Sequence, residues 1–492
     1  MKNLIQNLLL LPALVASLGL IPAGRAMAQT FTTLHSFTLG SDGGNPLAGL
    51  ILSGNTLYGT AFDGGSSDYG TIFKVNTNGT GFTILHSFTA ADPNTFINSD
   101  GAYPFVGLIL SGNTLYGTAQ HGGSGGNGTV FAVNPDGTGF TNLYTFTAAP
   151  NTYINSDGAI PSGVTLSGNT LYGTAYNGGS SGYGTVFAVN TDGTGFTNLH
   201  SFTAVSPLYY YTGTNSDGAF PEAGLILSGN TLYGTASVGG SSGSGTVFAI
   251  NTSGTGFTNL HSFTALDSAT QSTNSDGAHP YAGLILSGRT LYGTAYYGGS
   301  GGNGTVFAVN TDGTGFTNLH SFTAVLNSIN SDGANPYAGV ILSGNTLYGT
   351  ANGGGSLGYG TVFAVNTNGT GFTTLHSFAR FPSDGSGPNG GVILSGNTLY
   401  GTTEDGGSGV YGTVFSLTLP PPPSLTIIPS GANVILSWPT NTAGLMFTLQ
   451  STTNLISAAG WNTVSPVSAV VSGQNTVTNP ITGTQQFYRL SQ

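Results

Sequence analysis

Apolar and polar residues alternate in short stretches along most of the chain, and glycine-rich turns separate these stretches. In one copy, the apolar runs AGVILS and TLYGTA flank Gly344-Asn345, a dipeptide that favours a two-residue hairpin because both residues tolerate a positive φ. The segments TVFAVN and FTTLHSF follow, and in the second of them Phe372, Thr374 and His376 fall on one face by alternation. The pattern predicts four consecutive strands, a to d, that form an antiparallel meander without a helix.

The same unit occurs seven times along the chain. Its a–b hairpin, LSGNTLYGT or LSGRTLYGT, marks repeats 1 to 7 with spacings of 52 to 61 residues and begins at Leu52, Leu110, Leu166, Leu227, Leu286, Leu342 and Leu394. A period of this size indicates a solenoid, a propeller or an array of beads.

The strand count favours a closed ring among these architectures. A d-type segment starts at Phe31, before the first a–b–c set, and the last repeat ends at 412–419 with no d segment after it. A ring accounts for this offset because the N-terminal strand completes the last blade and hides two sheet edges. We therefore predict an all-β fold in which residues 30–419 form a seven-bladed β-propeller closed by an N-terminal strand. An open β array is the alternative.

The repeat unit also resembles a known family. GTVFAVNTDGTGFTNLHSF and SDGANPYAGVILSGNTLYGT are similar to the tandem repeat of exported proteins of Gloeobacter and Verrucomicrobia, the GloVer repeat of the choice-of-anchor proteins, and the similarity extends over residues 30–419. The resemblance implies export and surface attachment, and it brings no catalytic residues with it. The chain departs from the family in its last residues, QQFYRLSQ, which carry no sorting signal or apolar tail.

The N-terminal segment, residues 1–28, is typical of a signal peptide. A charged start at Lys2 precedes an apolar stretch, and Ala26-Met27-Ala28 is a small-x-small cleavage site. An uncleaved membrane anchor is the alternative. We expect export to the periplasm, the cell surface or the extracellular space, with no membrane span after cleavage.

The C-terminal segment differs in composition from the repeats. Residues 420–423 form a proline linker, and residues 424–492 carry short strand patterns that resemble small fibronectin type III-like or Ig-like modules. We predict a small β-sandwich-like domain with Trp438 and Trp461 in its core, because a domain this small needs its largest apolar groups inside.

Charged side chains are few, which excludes one class of partner. The 492 residues include 6 Lys and Arg and 17 Asp and Glu, for a net charge of −11, and no cysteine. So few basic residues cannot neutralise a phosphate backbone, and we predict no nucleic-acid binding. Without cysteine there is neither a disulfide nor a lipid attachment site, so packing and strand hydrogen bonds must hold the fold.

Loop variation between the copies predicts where a ligand binds. The a–b and c–d turns hardly vary, whereas the b–c loops and the crossings from strand d to the next strand a vary in length and content, and we expect any ligand on this variable face. The candidate ligand-binding residues there are Tyr176, Tyr209, Tyr210, Tyr211, Tyr281, Tyr296, Tyr297, Tyr337, His121 and His279. Further aromatic residues of the same loops are Phe62, Tyr103, Phe105 and Phe220.

Aromatic faces beside Asn, Ser and Asp suit the C–H faces and hydroxyls of sugars. The alternative is that these rings pack between blades. Tyr209 to Tyr211 favour binding most strongly, because three consecutive aromatic residues cannot all point inward.

An Asp-Gly-x-x-Pro element lies in every crossing. Its acidic residues are Asp42, Asp100, Asp157, Asp217, Asp276, Asp332 and Asp384. We interpret the element as structural: glycine permits the turn, aspartate bonds backbone amides two residues on, and proline starts the innermost strand. The rival hypothesis is a ring of carboxylates near a central channel that attracts Ca²⁺ or a cationic ligand. Because EF-hand spacing is absent, we predict no metal site and no cofactor.

Signals for catalysis are weak in this sequence. The Gly-x-Ser-x-Gly matches lie in glycine-rich loops with no following helix, and the histidine that recurs in strand d, with Tyr144 in its place in one repeat, is interpreted as a packing residue. We expect a non-enzymatic exported protein that binds glycans or other cell-envelope components. Two alternatives remain: a polysaccharide hydrolase or lyase that uses Glu222, Glu404 and Asp405, and a structural envelope or matrix protein.

Overall fold

The computed structural model describes residues 29–149, 154–206, 213–267, 269, 272–380, 384–420, 423–440, 447–453, 461–464, 468–480 and 486–491. Every regular element within these ranges is a β-strand. In the part of the chain that is described, no helix is long and apolar enough to cross a membrane. Two predicted features, the signal peptide and the Tyr209 to Tyr211 run, lie outside the described residues.

Seven four-stranded antiparallel sheets carry the repeats. The N-terminal strand is β1 (Thr30–Ser36). Repeats 1 to 3 contain β2 (Ile51–Ser53), β3 (Thr56–Ala61), β4 (Thr71–Asn76), β5 (Thr83–Ser87), β6 (Ile109–Ser111), β7 (Thr114–Ala119), β8 (Thr129–Val133), β9 (Thr141–Thr145), β10 (Ala159–Ser167), β11 (Thr170–Asn177), β12 (Thr185–Asn190) and β13 (Thr197–Ser201).

Repeats 4 to 7 contain β14 (Ile226–Ser228), β15 (Thr231–Ala236), β16 (Thr246–Asn251), β17 (Thr258–Ser262), β18 (Ile285–Ser287), β19 (Thr290–Ala295), β20 (Thr305–Asn310), β21 (Thr317–Ser321), β22 (Ile341–Ser343), β23 (Thr346–Ala351), β24 (Thr361–Asn366), β25 (Thr373–Ser377), β26 (Gly385–Ser386), β27 (Ile393–Ser395), β28 (Thr398–Thr403), β29 (Asp405–Gly406) and β30 (Thr413–Thr418). In repeats 1 to 6 the four strands pair in chain order, as the meander pattern predicts. In repeat 7 the order is β27-β28-β30-β1, and the short strands β26 and β29 form a separate pair.

The N-terminal strand takes the d position of the last sheet. β1 pairs antiparallel with β30, from Thr30 opposite Thr418 to Ser36 opposite Thr413. Phe31 stacks on the imidazole of His376 at a centroid distance of 4.2 Å, as Phe82 stacks on His35 at 3.6 Å. The contact of β1 with repeat 6 is therefore of the same kind as the contact of β1 with repeat 1.

Most of the buried apolar side chains lie between successive sheets. One cluster joins Val306 of β20 with Leu347 and Phe363 of the next sheet. Another joins Leu57 of the first sheet with Tyr400 of the last. Each sheet is thus apolar on both faces, which is why its central strands read as almost continuous hydrophobic runs.

A glycine lies shortly before strand a in six repeats and within β10 in repeat 3, and in some of the repeats a neighbouring chain segment approaches it closely. A methyl group on Gly339 would lie 2.6 Å from the carbonyl oxygen of Gly283, and one on Gly49 would lie 3.2 Å from that of Gly391. Strand a is shorter than predicted in every repeat except repeat 3, where β10 covers Ala159–Ser167. In repeat 6 the strand covers Ile341–Ser343 and leaves Ala338 and Gly339 outside.

The C-terminal segment forms two further small sheets. They are built from β31 (Thr426–Ser430), β32 (Asn433–Pro439), β33 (Thr448–Thr452), β34 (Asn462–Thr463), β35 (Ala469–Val471), β36 (Gln474–Pro480) and β37 (Phe487–Ser491), in the orders β31-β32-β36-β35 and β34-β33-β37. Trp438 packs in a core with Leu436, Leu449 and Val477. The prediction for Trp461 was wrong: this indole is half-buried and lies beneath the Arg489 guanidinium, 4.3 Å from the ring centroid.

Candidate functional site

The backbone of each crossing takes the same unusual conformation. The residue before the proline has a positive φ in all seven repeats: Asn45 (52°), Tyr103 (58°), Ile160 (59°), Phe220 (57°), His279 (55°), Asn335 (57°) and Gly387 (63°). This left-handed region is unfavourable for aromatic and β-branched residues and costs on the order of 1–3 kcal/mol where such residues adopt it.

Contacts with two neighbouring repeats hold this strained residue in place. The Tyr103 amide donates to the Tyr69 carbonyl of repeat 1 over 2.9 Å, and the Tyr103 carbonyl accepts from the Gln120 amide of repeat 2 over 3.1 Å. The following Pro104 packs on Gly70, where a methyl group would lie 2.6 Å from the proline Cδ. The crossing therefore joins adjacent sheets and holds a different side chain at the same place in each repeat.

The aspartates of the crossings bond back to strand d rather than to the amides two residues on, and this part of the prediction was wrong. Asp100 Oδ2 lies 2.8 Å from His86 Nε2 and accepts from the Thr89 amide over 3.1 Å, while the Thr89 hydroxyl donates to Oδ1. The Asp100 carbonyl accepts from Thr129 Oγ1 of the next sheet over 3.3 Å. Such an aspartate links two sheets, and the same threonine bond to the aspartate carbonyl is present at Asp157, Asp217, Asp276 and Asp332.

These bonds outweigh burial in setting the ionisation of three of the aspartates. Burial by itself raises the pKa of Asp100, but the hydrogen bonds from His86 and Thr89 favour the carboxylate and bring the pKa below its ordinary value. The same balance, with a histidine and a threonine, lowers the pKa of Asp217 and Asp332.

The histidines of strand d are the partners that the sequence interpretation missed. Six His–Asp pairs have Nε2–Oδ2 distances of 2.8 to 3.3 Å. In the remaining repeat Tyr144 donates from its hydroxyl to Asp157 Oδ2 over 2.8 Å. The replacement of histidine by another hydrogen-bond donor was the signal available in the sequence. Nearby, His86 also stacks on Phe140 of the next repeat at 3.7 Å.

The hypothesis of an open carboxylate ring therefore meets a specific difficulty. In every crossing the aspartate already accepts a hydrogen bond from strand d or from the second residue after that strand. Thr38 donates to Asp42 in this way at the first crossing, and Ala379 donates to Asp384 at the last. Among the described residues, no group of three or more His, Cys, Asp or Glu side chains is placed to hold a metal ion.

Residues that follow the prolines meet at the centre of the variable face. Tyr337 of repeat 6 donates from its hydroxyl to Glu222 Oε2 of repeat 4 over 3.1 Å. The Tyr337 ring contacts Tyr281 of repeat 5 at 5.3 Å and Phe105 of repeat 2 at 6.1 Å. We call Phe105, Glu222, Tyr281 and Tyr337 the central cluster, because it joins four crossings that are far apart in sequence.

A cavity of about 280 Å³ opens beside the central cluster. Repeats 2, 3 and 4 line it, with the residues Phe105, Gln120, Ile160, Ser162, Tyr176 and Glu222. Its walls combine two aromatic rings and an aliphatic side chain with an amide, a hydroxyl and a carboxyl group. This is the mixture typical of small-molecule sites, in which a few polar groups orient a ligand between apolar surfaces.

Burial governs the ionisation of the groups around the cavity. It raises the pKa of Glu222 to about 7, although the hydrogen bond from Tyr337 acts in the opposite direction. It also raises the pKa of the Tyr337 hydroxyl, with the nearby Glu222 carboxylate adding to the shift. Glu222 is therefore divided between its neutral and ionised forms near neutral pH.

A second carboxyl group of this face lies in a different cluster. Glu404 Oε2 accepts from Asn389 Nδ2 over 2.5 Å, and Asn352 donates in turn to Asn389 Oδ1 over 2.6 Å. Burial and the neighbouring Asp405 raise the pKa of Glu404. Of the three carboxyl groups of the hydrolase hypothesis, Glu404 and Asp405 therefore interact with each other, whereas Glu222 belongs to the central cluster.

The other predicted binding residues have varied surroundings. Tyr176 lines the cavity, Tyr296 packs edge-on against Tyr281 at 5.3 Å, and Tyr297 is 40% exposed. His279 is 3% exposed with its Nδ1 2.8 Å from the Ser237 carbonyl, so it is part of the packed interior.

His121 stacks on Phe96 at 4.8 Å, and burial lowers its pKa. Its environment is therefore a packed one as well.

The sequence interpretation missed Gln120, Ile160 and Ser162 as cavity residues. Their positions in the repeat are those of candidates elsewhere: Gln120 follows its b strand as Tyr296 does, and Ser162 follows its proline as Tyr337 does.

Several solved structures are similar to this chain at low sequence identity. Oligogalacturonate lyase in complex with manganese is 12% identical, with 80% of this chain and 91% of that chain covered at a TM-score of 0.43. TolB from Acinetobacter baumannii is 12% identical, with 80% and 77% covered at a TM-score of 0.33. Tricorn protease is 13% identical, with 81% of this chain and 33% of that chain covered at a TM-score of 0.38.

No curated protein matches the chain in sequence. A family model does match it: the model described as the Gloeobacter/Verrucomicrobia repeat covers residues 24–210, 91–271, 151–324 and 323–426. These segments include all seven copies of the a–b hairpin. The chain therefore belongs to the Gloeobacter/Verrucomicrobia repeat family.

Proposed function

We propose that residues 30–419 form a seven-bladed β-propeller in which β1 completes the seventh blade. The seven four-stranded sheets and the pairing of β1 with β30 support this proposal. So does the hydrogen bond from Thr402 Oγ1 of repeat 7 to the Ala48 carbonyl of repeat 1, at 2.8 Å, because Thr350 of repeat 6 makes the same bond to Gly390 of repeat 7. We further propose export after removal of residues 1–28, and a fibronectin type III-like or Ig-like spacer at residues 424–492.

We propose that the protein binds carbohydrate, without catalysis, in the cavity beside the central cluster. The observation that carries this proposal is the composition of the cavity: Phe105 and Tyr176 offer aromatic surface, and Gln120, Ser162 and Glu222 offer polar groups. Sugar rings present C–H faces and hydroxyls that match such a lining. A volume of about 280 Å³ is at the small end for ligand cavities, so one sugar unit of a glycan enters rather than several.

The hydrolase or lyase alternative has one favourable feature. The raised pKa of Glu222 suits a general acid near neutral pH. A glycosidase of the common type also needs a second carboxyl group within about 5–10 Å. Among the described residues no second carboxylate interacts with Glu222, and this favours binding over cleavage as the proposal.

Oligosaccharide binding by the full chain tests the proposal. Calorimetry with a panel of neutral, acidic and amine-bearing oligosaccharides should find at least one that binds saturably, and Phe105→Ser or Tyr176→Ser should weaken it about ten-fold through loss of an aromatic wall. Tyr297→Ser is the matched control, since Tyr297 is exposed on the same face outside the cavity. Absence of binding across the panel, or equal binding by all three variants, would contradict the cavity as a carbohydrate site.

A second arm addresses the earlier prediction for Tyr209 to Tyr211, which stays open. Replacing the three with serine should leave cavity binding unchanged if Phe105 and Tyr176 form the site. Loss of binding in this variant alone would move the site to the crossing between repeats 3 and 4.

A further inference from the structure

The cavity contains one acidic group and no basic group to neutralise it. Among the described residues, Glu222 makes one hydrogen bond, from Tyr337, and no Lys, Arg or His side chain forms an ion pair with it. The histidines of this protein that approach a carboxylate all serve the crossing aspartates. An ionised Glu222 is therefore a negative charge without a cation beside it.

The groups around this carboxyl also favour a positive ligand. Phe105 and Tyr176 line the same cavity, and aromatic faces attract cations through their negative π surface. The net charge of −11 draws cations toward the protein from a distance. Carboxylate, aromatic walls and overall charge thus act in the same direction, whereas a neutral sugar could offer Glu222 only hydroxyl groups, which carry no positive charge to pair with the carboxylate.

We propose that the cavity is selective for a sugar unit with a free amino group, whose ammonium pairs with Glu222 while its ring packs between Phe105 and Tyr176. This inference rests on the proposed carbohydrate function and names its ligand class. Gln120 can bond the hydroxyl groups of the same sugar, and Ser162, whose hydroxyl donates to the Ile160 carbonyl over 3.3 Å, can still accept from one of them. N-acetylation removes the positive charge, so it is the modification that the site discriminates against.

The experiment compares three oligosaccharides of equal length on the full unmodified chain at pH 7.5: β-1,4-linked glucosamine, its fully N-acetylated form and the neutral glucose oligomer. The glucosamine oligomer should bind at least about ten-fold more tightly than the other two, which is the effect of one charge-assisted hydrogen bond. Glu222→Gln should remove this preference while keeping an acceptor for Tyr337. Glu404→Gln is the matched control, because Glu404 is another buried carboxyl group of the face but does not line the cavity.

A permanent cation provides a readout that does not depend on the sugar. Tetramethylammonium should compete with the glucosamine oligomer, and its affinity should rise between about pH 6 and 8 as Glu222 ionises. Glu222→Gln should abolish that rise, since the charge of the probe does not change with pH. A pH-independent affinity in the unmodified protein would overturn the pairing.

The possible outcomes separate the two proposals. Equal binding of the three oligosaccharides would overturn the inference and leave carbohydrate binding standing. Tetramethylammonium binding that depends on Glu222, with no oligosaccharide bound, would overturn the carbohydrate function and retain a cation site. If none of the three oligosaccharides and no tetramethylammonium binds, both proposals are overturned. The comparison of ligands on the unmodified chain tests the inference even if Glu222→Gln does not fold.

Discussion

Replacing Tyr144 with phenylalanine removes one hydroxyl group from the interface between repeats 2 and 3. This hydroxyl donates to Asp157 Oδ2 over 2.8 Å, and Asp157 is 3% exposed. Phenylalanine retains the stack of the ring on Phe196, whose centroid lies 3.8 Å away with the planes 8° apart. The substitution therefore isolates one hydrogen bond to a buried carboxylate.

The remaining partners of Asp157 set the magnitude of the loss. The Thr147 amide still donates to Oδ2 over 2.9 Å and its hydroxyl to Oδ1 over 2.5 Å. A hydrogen bond to a charged group contributes about 1.5–3 kcal/mol net. Because two donors remain, we expect the free energy of unfolding to fall by the lower part of that range, about 1.5–2 kcal/mol.

The chain offers its own control for this experiment. Tyr144→His restores the residue found at the other six positions, where Nε2 lies 2.8 to 3.3 Å from the aspartate, and it should be close to the unmodified protein in stability. Denaturant titration followed by fluorescence and by circular dichroism measures the change and tests for intermediates. If Tyr144→Phe differs by less than about 0.5 kcal/mol, the ordinary effect of a surface substitution, the anchoring role of the aspartates is refuted.

Three other perturbations test the packing between repeats. Gly339→Ala should destabilise the protein, since its methyl group would lie 2.6 Å from a carbonyl oxygen. Gly224→Ala should be neutral or slightly stabilising, because its methyl group would lie 3.9 Å from the nearest backbone atom. Equal melting temperatures of the two variants would contradict the close approach at Gly339. Thr402→Val should lower the free energy of unfolding by about 1–3 kcal/mol because it removes the hydrogen bond to a buried carbonyl. Thr118→Val should lower it little, because the Thr118 hydroxyl has no hydrogen-bond partner among the described residues; denaturation midpoints distinguish the two variants. The pKa of Asp100 is lower in the folded protein than in the unfolded chain, so its contribution is fully present above the unfolded pKa of about 3.9 and is lost as the pH falls below it. Unfolding measured from pH 7 to pH 2.5 should show this loss, and Asp100→Asn should have a shallower acid dependence than the unmodified protein.

The repeat pattern predicts the strands well because each repeat is a local unit. The hairpin from Ile341 to Ala351 and strands β24 and β25 follow one another in the predicted order, since turn residues and alternation act over a few positions. The inner strand was predicted too long, since alternation does not reveal that Gly339 faces a neighbouring backbone at 2.6 Å. The His–Asp pairs were missed because their members lie in different elements, 7 to 17 residues apart.

The candidate site illustrates the same limit at longer range. Comparison of the copies singled out the variable face, and with it Tyr176, Tyr281 and Tyr337. It could not show that Tyr337 reaches Glu222, 115 residues earlier in the chain, or that Phe105 meets the same ring. Residues at one position of a repeat are equivalent in sequence, yet they meet only where several repeats converge.

Primary structure alone thus established the all-β class, the four-stranded unit, the family and the absence of a basic surface. These properties depend on local turn chemistry, period-two alternation and residue counts. Each of these can be evaluated from neighbouring residues or from the composition, without knowledge of distant contacts. The packing of the repeats was needed to identify the aspartate anchors, the central cluster and the cavity with its Glu222 carboxyl. Burial and contacts between distant crossings create these features, and both arise only when the repeats pack against one another.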